Sequence, residues 1–206
     1  MNSSRTLGVI LAGGLARRMG GGDKGANLID GRTILGRLVD LLRPQCAAVI
    51  LNANGDPARF AELGVPVVPD GVPGFPGPLA GVLAGLDWAA AERPHLPCIA
   101  TVAGDTPFLP ADFVERLHRA RERDGVPLAC ASSGGRTHPV NGLWPVALRD
   151  DLRHALTVEG ERKVGRWMAR HGVALAEWGE PVDPFFNINE PADLEEARRL
   201  AASRDQ

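Results

Sequence analysis

The chain alternates between short runs of apolar residues and longer segments in which apolar residues recur every third or fourth position. Short continuous apolar runs are typical of strands that are covered on both faces, and the longer period is typical of helices that bury one side. The apolar runs predict strands at residues 6–11, 47–52, 65–68, 98–102, 128–131, 140–144 and 174–178.

Helix start signals stand between these runs. Thr33 suits an N-cap, because its hydroxyl can accept a hydrogen bond from the first helical turn and Ile34, Leu38 and Leu42 then share one face. Proline is favoured in the first turn of a helix, where its missing N–H costs nothing. We therefore expect helices to begin at Thr33, Pro78, Pro110 and Pro191, and a further helix to contain Trp167 and Met168.

Alternating strands and helices predict an α/β fold, a mostly parallel twisted sheet between two helical layers. The pattern changes near residues 128–145, where two apolar runs are joined by the glycine-rich stretch SSGGRTH. Such a short connection favours a hairpin, and we predict a small antiparallel hairpin insertion here. The length of 206 residues fits a single domain spanning residues 1–206.

Composition excludes several classes of protein. A net charge of −2 is unsuited to coating a nucleic acid, and no apolar run approaches the length of about 20 residues that a membrane helix needs. Cys46, Cys98 and Cys130 are widely spaced, which argues against a disulfide framework or a zinc site. No secretory leader pattern stands at the N-terminus. We expect a cytoplasmic monomer that binds neither nucleic acid nor membrane.

Polar residues follow the predicted strands. Asn52, Asn54, Asp70 and Asp105 stand at or just beyond strand ends, and we expect residues 187–189 to follow a strand in the same way. Ligands of open α/β sheets bind beyond the carboxyl ends of the strands. These positions therefore predict a catalytic site along one edge of the sheet.

The loop over residues 12–24 combines glycine with cations directly after the first strand. It is not a P-loop, because Lys24 is followed by Gly25 rather than by a hydroxyl residue. It is not a dinucleotide fingerprint either, because its later glycines lie too far beyond the strand. Ala12, Gly13 and Gly14 could let a flat base or a ribose approach the backbone. Arg17, Arg18 and Lys24 lie further out in the loop and could reach phosphates.

The stretch LAGGLARRMGGGDKG at 11–25 resembles the signature of nucleotidyltransferases with LAGG, RMG and a following lysine. The whole chain resembles the molybdenum cofactor guanylyltransferases, MobA-type nucleotidyltransferases that join GMP to molybdopterin. Further matches fall in that family's order: NAN at 52–54, PD at 69–70, PGPLAG at 76–81, GDTPFLP at 104–110, HPV at 138–140, GERKV at 160–164 and FFNINEPADL at 185–194. Gly104, where many members have Cys, and Glu190, where Thr is common, depart from the pattern.

The resemblance implies a three-layer Rossmann-like nucleotidyltransferase fold, with nucleotide bound by the N-terminal half and molybdopterin by the C-terminal half. It also implies the reaction: the terminal phosphate of molybdopterin attacks the α-phosphate of GTP, and pyrophosphate leaves. A phosphate nucleophile needs no general base, and the sequence shows no obvious Ser/His/Asp unit. Catalysis would then rest on alignment and charge neutralisation, with Mg²⁺ as the cofactor.

The resemblance and the residue chemistry together assign roles. Asp105 is the expected Mg²⁺ ligand and, with Arg18 and Lys24, forms the catalytic set. The expected GTP-binding residues are Leu11, Ala12, Gly13, Gly14, Lys24, Asn52, Asp70 and Asp105. The expected molybdopterin-binding residues are Arg136, His138, Arg162, Lys163, Asn187 and Asn189.

Three alternatives stay open at this point. A molybdopterin cytidylyltransferase would carry Ala-Ala-Gly where this chain has Ala12-Gly13-Gly14, and the second glycine leaves room for a purine. A sugar-1-phosphate nucleotidyltransferase is usually longer and lacks the late NIN pattern. A nucleotide-binding module without turnover would not need Lys24 and Asp105. The family's pathway also implies transient contacts with other molybdenum cofactor biosynthesis proteins and with acceptor molybdoenzymes.

Overall fold

A computed structural model describes residues 5–13, 27–72, 74, 77–179 and 183–204. The strands are β1 (Thr6–Leu11), β2 (Leu28–Ile29), β3 (Arg32–Thr33), β4 (Ala48–Asn52), β5 (Val67–Val68), β6 (Cys98–Ala103), β7 (Leu128–Ser133), β8 (Arg136–Pro145) and β9 (Val173–Trp178). The helices are α1 (Ile34–Leu42), α2 (Pro78–Glu92), α3 (Phe113–Asp124), α4 (Arg149–Thr157), α5 (Val164–His171) and α6 (Pro191–Arg204). None of the helices in these ranges has the length and apolar character needed to cross a bilayer.

Seven strands form one sheet in the order β5-β4-β1-β6-β8-β7-β9, and β2 pairs with β3 in a separate antiparallel ribbon. All pairings in the large sheet are parallel except those of β8, which runs antiparallel to both β6 and β7. The predicted α/β class and the antiparallel hairpin are confirmed. The hairpin is built into the sheet, because β8 separates β6 from β7.

Helices cover both faces of the sheet and produce three layers. Core residues of α1, α3 and α6 pack on one face, and those of α2, α4 and α5 pack on the other. Successive side chains of β1 pack on opposite faces. Ile10 packs in the core with α1, α3 and α6, and Val9 packs in the core with α2, α4 and α5. Burial on both faces explains why these strands read as continuous apolar runs.

Two helical predictions are confirmed in detail. Thr33 is the N-cap of α1, and its hydroxyl accepts a hydrogen bond from the Gly36 N–H at 3.0 Å. Pro78 is the first residue of α2. The helix expected to begin at Pro110 instead begins at Phe113, because the carbonyl of Pro110 first closes a turn with the Phe113 N–H at 3.2 Å.

The ribbon β2–β3 and helix α4 were not predicted from the sequence. The ribbon β2–β3 turns through Asp30 and Gly31, both with positive φ, and an Asp-Gly pair between short strands is the usual signal for such a turn. Helix α4 has few apolar residues, and it is held against α2 partly by the ion pair of Arg153 with Asp87.

All three cysteines lie in the described part of the chain and are unpaired. Burial raises the pKa of the Cys46 thiol to about 12 and that of the Cys130 thiol to about 11. These thiols stay protonated near neutral pH, and they act as small packing residues.

Candidate active site

The strand directions bring the predicted site residues to one edge. Because β8 is antiparallel to both of its neighbours, β7 and β9 run parallel to β1, β4, β5 and β6. Six strands therefore end at the same edge of the sheet, and β8 begins there. We call this the carboxyl edge. It collects Leu11, Asn52 and Asp105, as the sequence predicts, and it also holds the β7–β8 turn.

Asn52, Asn54 and Asp70 form a hydrogen-bonded cluster at the ends of β4 and β5. Asn52 Nδ2 donates to Asp70 Oδ1 at 3.0 Å, and Asn54 Nδ2 donates to Asp70 Oδ2 at 2.7 Å. The Asp70 N–H donates in return to Asn54 Oδ1 at 2.9 Å. Each carboxylate oxygen of Asp70 thus receives one amide hydrogen and keeps a second lone pair for a ligand.

Glycines bring the neighbouring backbones close to this cluster. A Cβ atom on Gly13 would lie 3.6 Å from Asn52 Oδ1 and 3.9 Å from Asp70 Oδ2, so Gly13 is adjacent to both side chains. A Cβ atom on Gly81 in α2 would overlap Asn52 Oδ1 and lie 2.9 Å from Leu11 Cδ2. The buried side chain of Asn52 is therefore held in position by α2 as well as by Asp70.

Two of the backbone groups expected to contact the base have partners within the sheet. The Ala12 N–H donates to the Asn52 carbonyl at 2.9 Å, and the Leu11 carbonyl accepts from the Gly104 N–H at 2.9 Å. These bonds extend the pairing of β1 with β4 and β6 and fix the start of the glycine loop. A Cβ atom on Gly104 would lie 3.0 Å from the Leu11 carbonyl, which makes this a close approach of two backbones.

Asp105 stands two residues beyond the end of β6 and is partly exposed. The following Thr106 is buried, and its hydroxyl donates to the Ala103 carbonyl at 2.8 Å, which closes the turn that carries Asp105. The Asp105 carbonyl accepts a hydrogen bond from the Ile188 N–H at 3.0 Å. That bond attaches the segment around Ile188 to the centre of the carboxyl edge.

The placement of Asn187 and Asn189 directly after a strand is wrong, because the last strand ends at Trp178. The described segment around Ile188 lies at the sheet edge and is held there by the bond from the Ile188 N–H to the Asp105 carbonyl. Ile188 is buried while both asparagines are exposed, so the two amide side chains lie on the solvent side, as their alternation predicts. The structure thus brings them beside Asp105 by a different route.

Three side chains at the β7–β8 hairpin form an unexpected series of hydrogen bonds. His138 Nε2 lies 2.8 Å from Ser133 Oγ, and Ser133 Oγ donates to Asp183 Oδ1 at 2.7 Å. The expectation of no Ser/His/Asp unit is corrected to this extent. The order differs from that of a hydrolase triad, because the serine lies between the histidine and the aspartate and gives its proton to the carboxylate.

Arg162 and Lys163 are exposed at the start of α5, which lies next to the strand that carries His138. A Cβ atom on Gly165 would lie 3.7 Å from Pro139 Cγ, which shows how near these elements are. The buried Glu161 holds the segment by accepting from the N–H groups of Arg162 and Lys163, both at 2.9 Å.

The carboxylate of Glu161 also receives two guanidinium groups, from Arg166 at 2.7 Å and from Arg170 at 2.9 Å. The Arg166 hydrogen bond is the main cause of a pKa lowered from 4.5 to about 2, and the backbone N–H of Lys163 contributes next. Because the folded pKa is depressed, Glu161 stabilises the fold fully above about pH 4.5, and the stabilisation is lost as the pH falls toward 2.

Replacing Glu161 with glutamine is expected to lower the Tm near neutral pH and to flatten its fall in acid, because the titrating carboxylate is gone. Thermal unfolding of both proteins across this pH range measures the effect. Glu159→Gln is the matched control, since Glu159 also pairs with Arg170 but its side chain is 40% exposed. Equal Tm losses in the two variants at neutral pH would contradict the role of Glu161.

Asn141 was missed by the sequence analysis. Its side chain is buried in β8, and Asn141 Oδ1 accepts a hydrogen bond from the Ala103 N–H at 2.8 Å. It therefore gives a partner to the N–H of the last residue of β6, which lies beyond the end of the β6–β8 pairing at Thr101 and Gly142. The available signal was an asparagine within the apolar run that follows the HPV motif. Such a run predicts burial, and a buried amide needs a hydrogen-bond partner.

Several predicted residues lie outside the described part of the chain, namely Gly14, Arg17, Arg18 and Lys24. Within the described ranges, no three His, Cys, Asp or Glu side chains are grouped as a metal site. Mg²⁺ commonly uses one or two carboxylates together with substrate phosphates and water. The carboxylate of Asp105 at the carboxyl edge fits that pattern as one such ligand.

Comparison with known proteins identifies the family. A family model described as the MobA-like NTP transferase domain matches residues 8–175. The chain is 59% identical to a molybdenum cofactor guanylyltransferase from a Bradyrhizobium species, over 100% of this chain and 99% of that protein. It is 56% identical to a protein of the same name from Nitrobacter hamburgensis, over 96% and 95% of the two chains.

Solved structures agree on the fold. Molybdopterin-guanine dinucleotide biosynthesis protein A from Archaeoglobus fulgidus superposes with a TM-score of 0.73 at 20% identity, over 96% of this chain and 100% of that one. A 4-diphosphocytidyl-2C-methyl-D-erythritol synthase from Anaerococcus prevotii gives 0.74 at 13% identity, over 97% of each chain. The chain therefore belongs to the MobA-like NTP transferase family and is a nucleotidyltransferase of that type.

Proposed function

We propose that this protein transfers GMP from GTP to the terminal phosphate of molybdopterin, releases pyrophosphate and forms molybdopterin guanine dinucleotide. The observation that carries the proposal is the 59% identity, along the whole chain, to a relative named as a guanylyltransferase of this cofactor. The clustering of the nucleotide candidates and the acceptor candidates along one sheet edge supports it.

The purine would lie against Gly13 and the Asn52–Asp70 pair. The two Asp70 oxygens, each with a lone pair left, match the adjacent N–H donors on the Watson–Crick edge of guanine or the ribose hydroxyls. The interaction of Asn52 with both Asp70 and the Val68 carbonyl, at 3.1 Å, keeps the carboxylate orientation fixed before the nucleotide binds. A preorganised acceptor pair discriminates between bases better than a mobile one.

In the transfer itself, an oxygen of the acceptor phosphate attacks the α-phosphorus of GTP. The bond between that phosphorus and the oxygen that bridges the α- and β-phosphates breaks, and pyrophosphate leaves. Mg²⁺ at Asp105 would neutralise charge on the nucleotide phosphates. Lys24 and Arg18 are assigned to the same phosphates on sequence grounds, with Lys24 holding the departing pyrophosphate. Aligning two anions in this way is the main task of the site.

The acceptor would occupy the part of the carboxyl edge formed by the β7–β8 hairpin, the start of α5 and the 187–189 segment. Arg136, Arg162 and Lys163 supply positive charge for its phosphate, and Asn187 and Asn189 offer amides to the edge of a pterin. The bond between Ile188 and Asp105 links this acceptor side to the nucleotide side.

Pyrophosphate release from GTP, CTP, ATP and UTP, each with Mg²⁺ and with or without molybdopterin, tests the proposal. We expect release from GTP only when the pterin is present, with a preference over CTP of about a hundredfold or more, because unpaired polar groups in the site penalise the wrong base. Release from CTP instead would show that the assigned base contacts are wrong. Release without the pterin, or with a sugar phosphate, would contradict the assigned acceptor.

A further inference from the structure

The chain of hydrogen bonds from His138 through Ser133 to Asp183 constrains where its protons lie. Ser133 is 4% exposed, and its hydroxyl contacts both His138 Nε2, at 2.8 Å, and Asp183 Oδ1, at 2.7 Å. The same Asp183 oxygen also accepts from the Phe185 N–H at 2.9 Å. An ionised carboxylate has no proton to give, so the proton between the two oxygens is that of the serine.

A hydroxyl has one hydrogen. Since Ser133 donates its hydrogen to Asp183, Ser133 Oγ can only accept from His138, and the imidazole proton lies on Nε2. In a neutral ring the other nitrogen, Nδ1, then carries a lone pair. The hydrogen bonds from Nε2 through Ser133 to Asp183 therefore make Nδ1 of His138 a hydrogen-bond acceptor.

We propose that Ser133 and Asp183 are positioning residues that fix His138 with its proton on Nε2, so that Nδ1 accepts a hydrogen bond from an N–H group on the heterocycle of the acceptor substrate. The identity of that substrate rests on the proposed function. The proton arrangement rests only on the geometry of the three side chains.

The surroundings of His138 favour a neutral ring. Burial lowers the pKa of His138, the negative charge of Asp183 opposes that shift, and the positive charge of Arg136 reinforces it. The ring of Phe185, itself buried, packs against the imidazole with 5.0 Å between ring centroids. Ring packing on one side and the Ser133 bond on another hold the imidazole in one orientation.

This arrangement assigns different parts of the acceptor to different residues. A lone pair at Nδ1 repels a phosphate oxygen, because both are electron-rich acceptors. His138 therefore contacts the heterocycle and not the phosphate, which leaves the phosphate to the cations Arg136, Arg162 and Lys163. The histidine thus acts as a specificity determinant for donor groups on the flat ring.

Nitrogen NMR of the histidine side chains in the ligand-free protein tests the proton arrangement near neutral pH. We expect His138 to show a protonated Nε2 and an unprotonated Nδ1, with the signal assigned by its loss in His138→Gln. A proton on Nδ1, or on both nitrogens, would overturn the proposal. This measurement needs no substrate, so its result is independent of whether the proposed transfer reaction is observed.

Asp183→Ala and Asp183→Asn form the matched pair of variants. Alanine removes the acceptor, which lets Ser133 donate to Nε2 and moves the histidine proton to Nδ1. Asparagine keeps an oxygen that can accept from Ser133 and from the Phe185 N–H, so the wild-type arrangement should return. The NMR signature of His138 should change in the alanine variant and be restored in the asparagine variant.

Steady-state transfer assays give the functional readout. We expect Asp183→Ala to raise the KM for molybdopterin about tenfold, as loss of one hydrogen bond implies, with the KM for GTP unchanged and with rescue by Asp183→Asn. Asp124→Ala is the control, because Asp124 is exposed at the end of α3, just before β7 begins, at the edge of the sheet opposite the carboxyl edge. Equal changes in both KM values, or no rescue by asparagine, would show a merely structural role and overturn the proposal.

Discussion

Replacing Asp105 with alanine is expected to reduce nucleotidyl transfer by about a hundredfold to a thousandfold, the usual cost of removing one preorganised charge-stabilising group. The reaction brings two anionic phosphates together, and Asp105 is the carboxylate at the centre of the carboxyl edge that we assign to Mg²⁺. The backbone carbonyl of Asp105, which accepts from the Ile188 N–H, is retained in the variant. The rate of pyrophosphate release at saturating GTP and molybdopterin, followed across a Mg²⁺ titration, measures the loss.

Two further variants make the Asp105 result specific. Asp105→Asn keeps the size of the side chain and one oxygen but removes the charge, and it should lose most of the activity too. Asp150→Ala removes an aspartate whose side chain is 78% exposed on α4, and it should transfer GMP at the wild-type rate. Wild-type turnover by Asp105→Ala, with an unchanged Mg²⁺ dependence, would show that the metal assignment is wrong.

The second large effect is expected from Gly81→Ala in α2. Its methyl group would overlap Asn52 Oδ1 and lie 2.9 Å from Leu11 Cδ2, so Asn52 must move. Moving it breaks the bonds to Asp70 and to the Val68 carbonyl, which contribute about 1 kcal/mol each. We expect a KM for GTP raised about tenfold or more, because the base-binding carboxylate loses its fixed orientation.

Gly85→Ala, one helical turn further along α2, separates this effect from simple overpacking. A methyl group there would lie 2.9 Å from Val9 Cγ2 and 3.1 Å from Ile99 Cδ1, which are core contacts remote from Asn52. Overpacking costs about 1–3 kcal/mol, and the gain in helix propensity from glycine to alanine offsets about 1 kcal/mol in both variants. The two should lose similar stability in urea unfolding, yet only Gly81→Ala should raise the KM for GTP. A KM change of equal size in both would contradict the role of Asn52.

Local pattern identified much of this architecture. The first predicted strand covers the residues that form β1, Thr6–Leu11. That strand is buried on both faces, and a strand of this kind is a continuous apolar run in the sequence. The N-cap at Thr33 and the hairpin through Gly134 and Gly135 were also predicted, because caps and tight turns depend on neighbouring residues only. Helix α4 was not, because it holds few apolar residues and depends on its contact with α2.

The position of β8 shows why pairing order could not be predicted. The sequence indicated that β7 and β8 form a hairpin, but insertion of β8 between β6 and β7 depends on contacts between residues far apart in the chain, such as Ile99 with Trp144. That insertion brings the hairpin turn and His138 to the carboxyl edge. An antiparallel strand at this place is what allows the acceptor candidates to face the nucleotide candidates.

The sequence by itself determined the fold class, the positions of most strands and the polar residues at their ends, because burial and turn formation depend on the composition of short segments. Only the tertiary structure decided which of those residues meet. Asp70 reaches Asn52, Ile188 reaches Asp105, and Asp183 reaches His138 through Ser133, each across a long stretch of chain. Such contacts depend on how strands pair and on where loops return to the sheet. They are stabilised by the packing of the whole sheet and not by any single segment of the sequence.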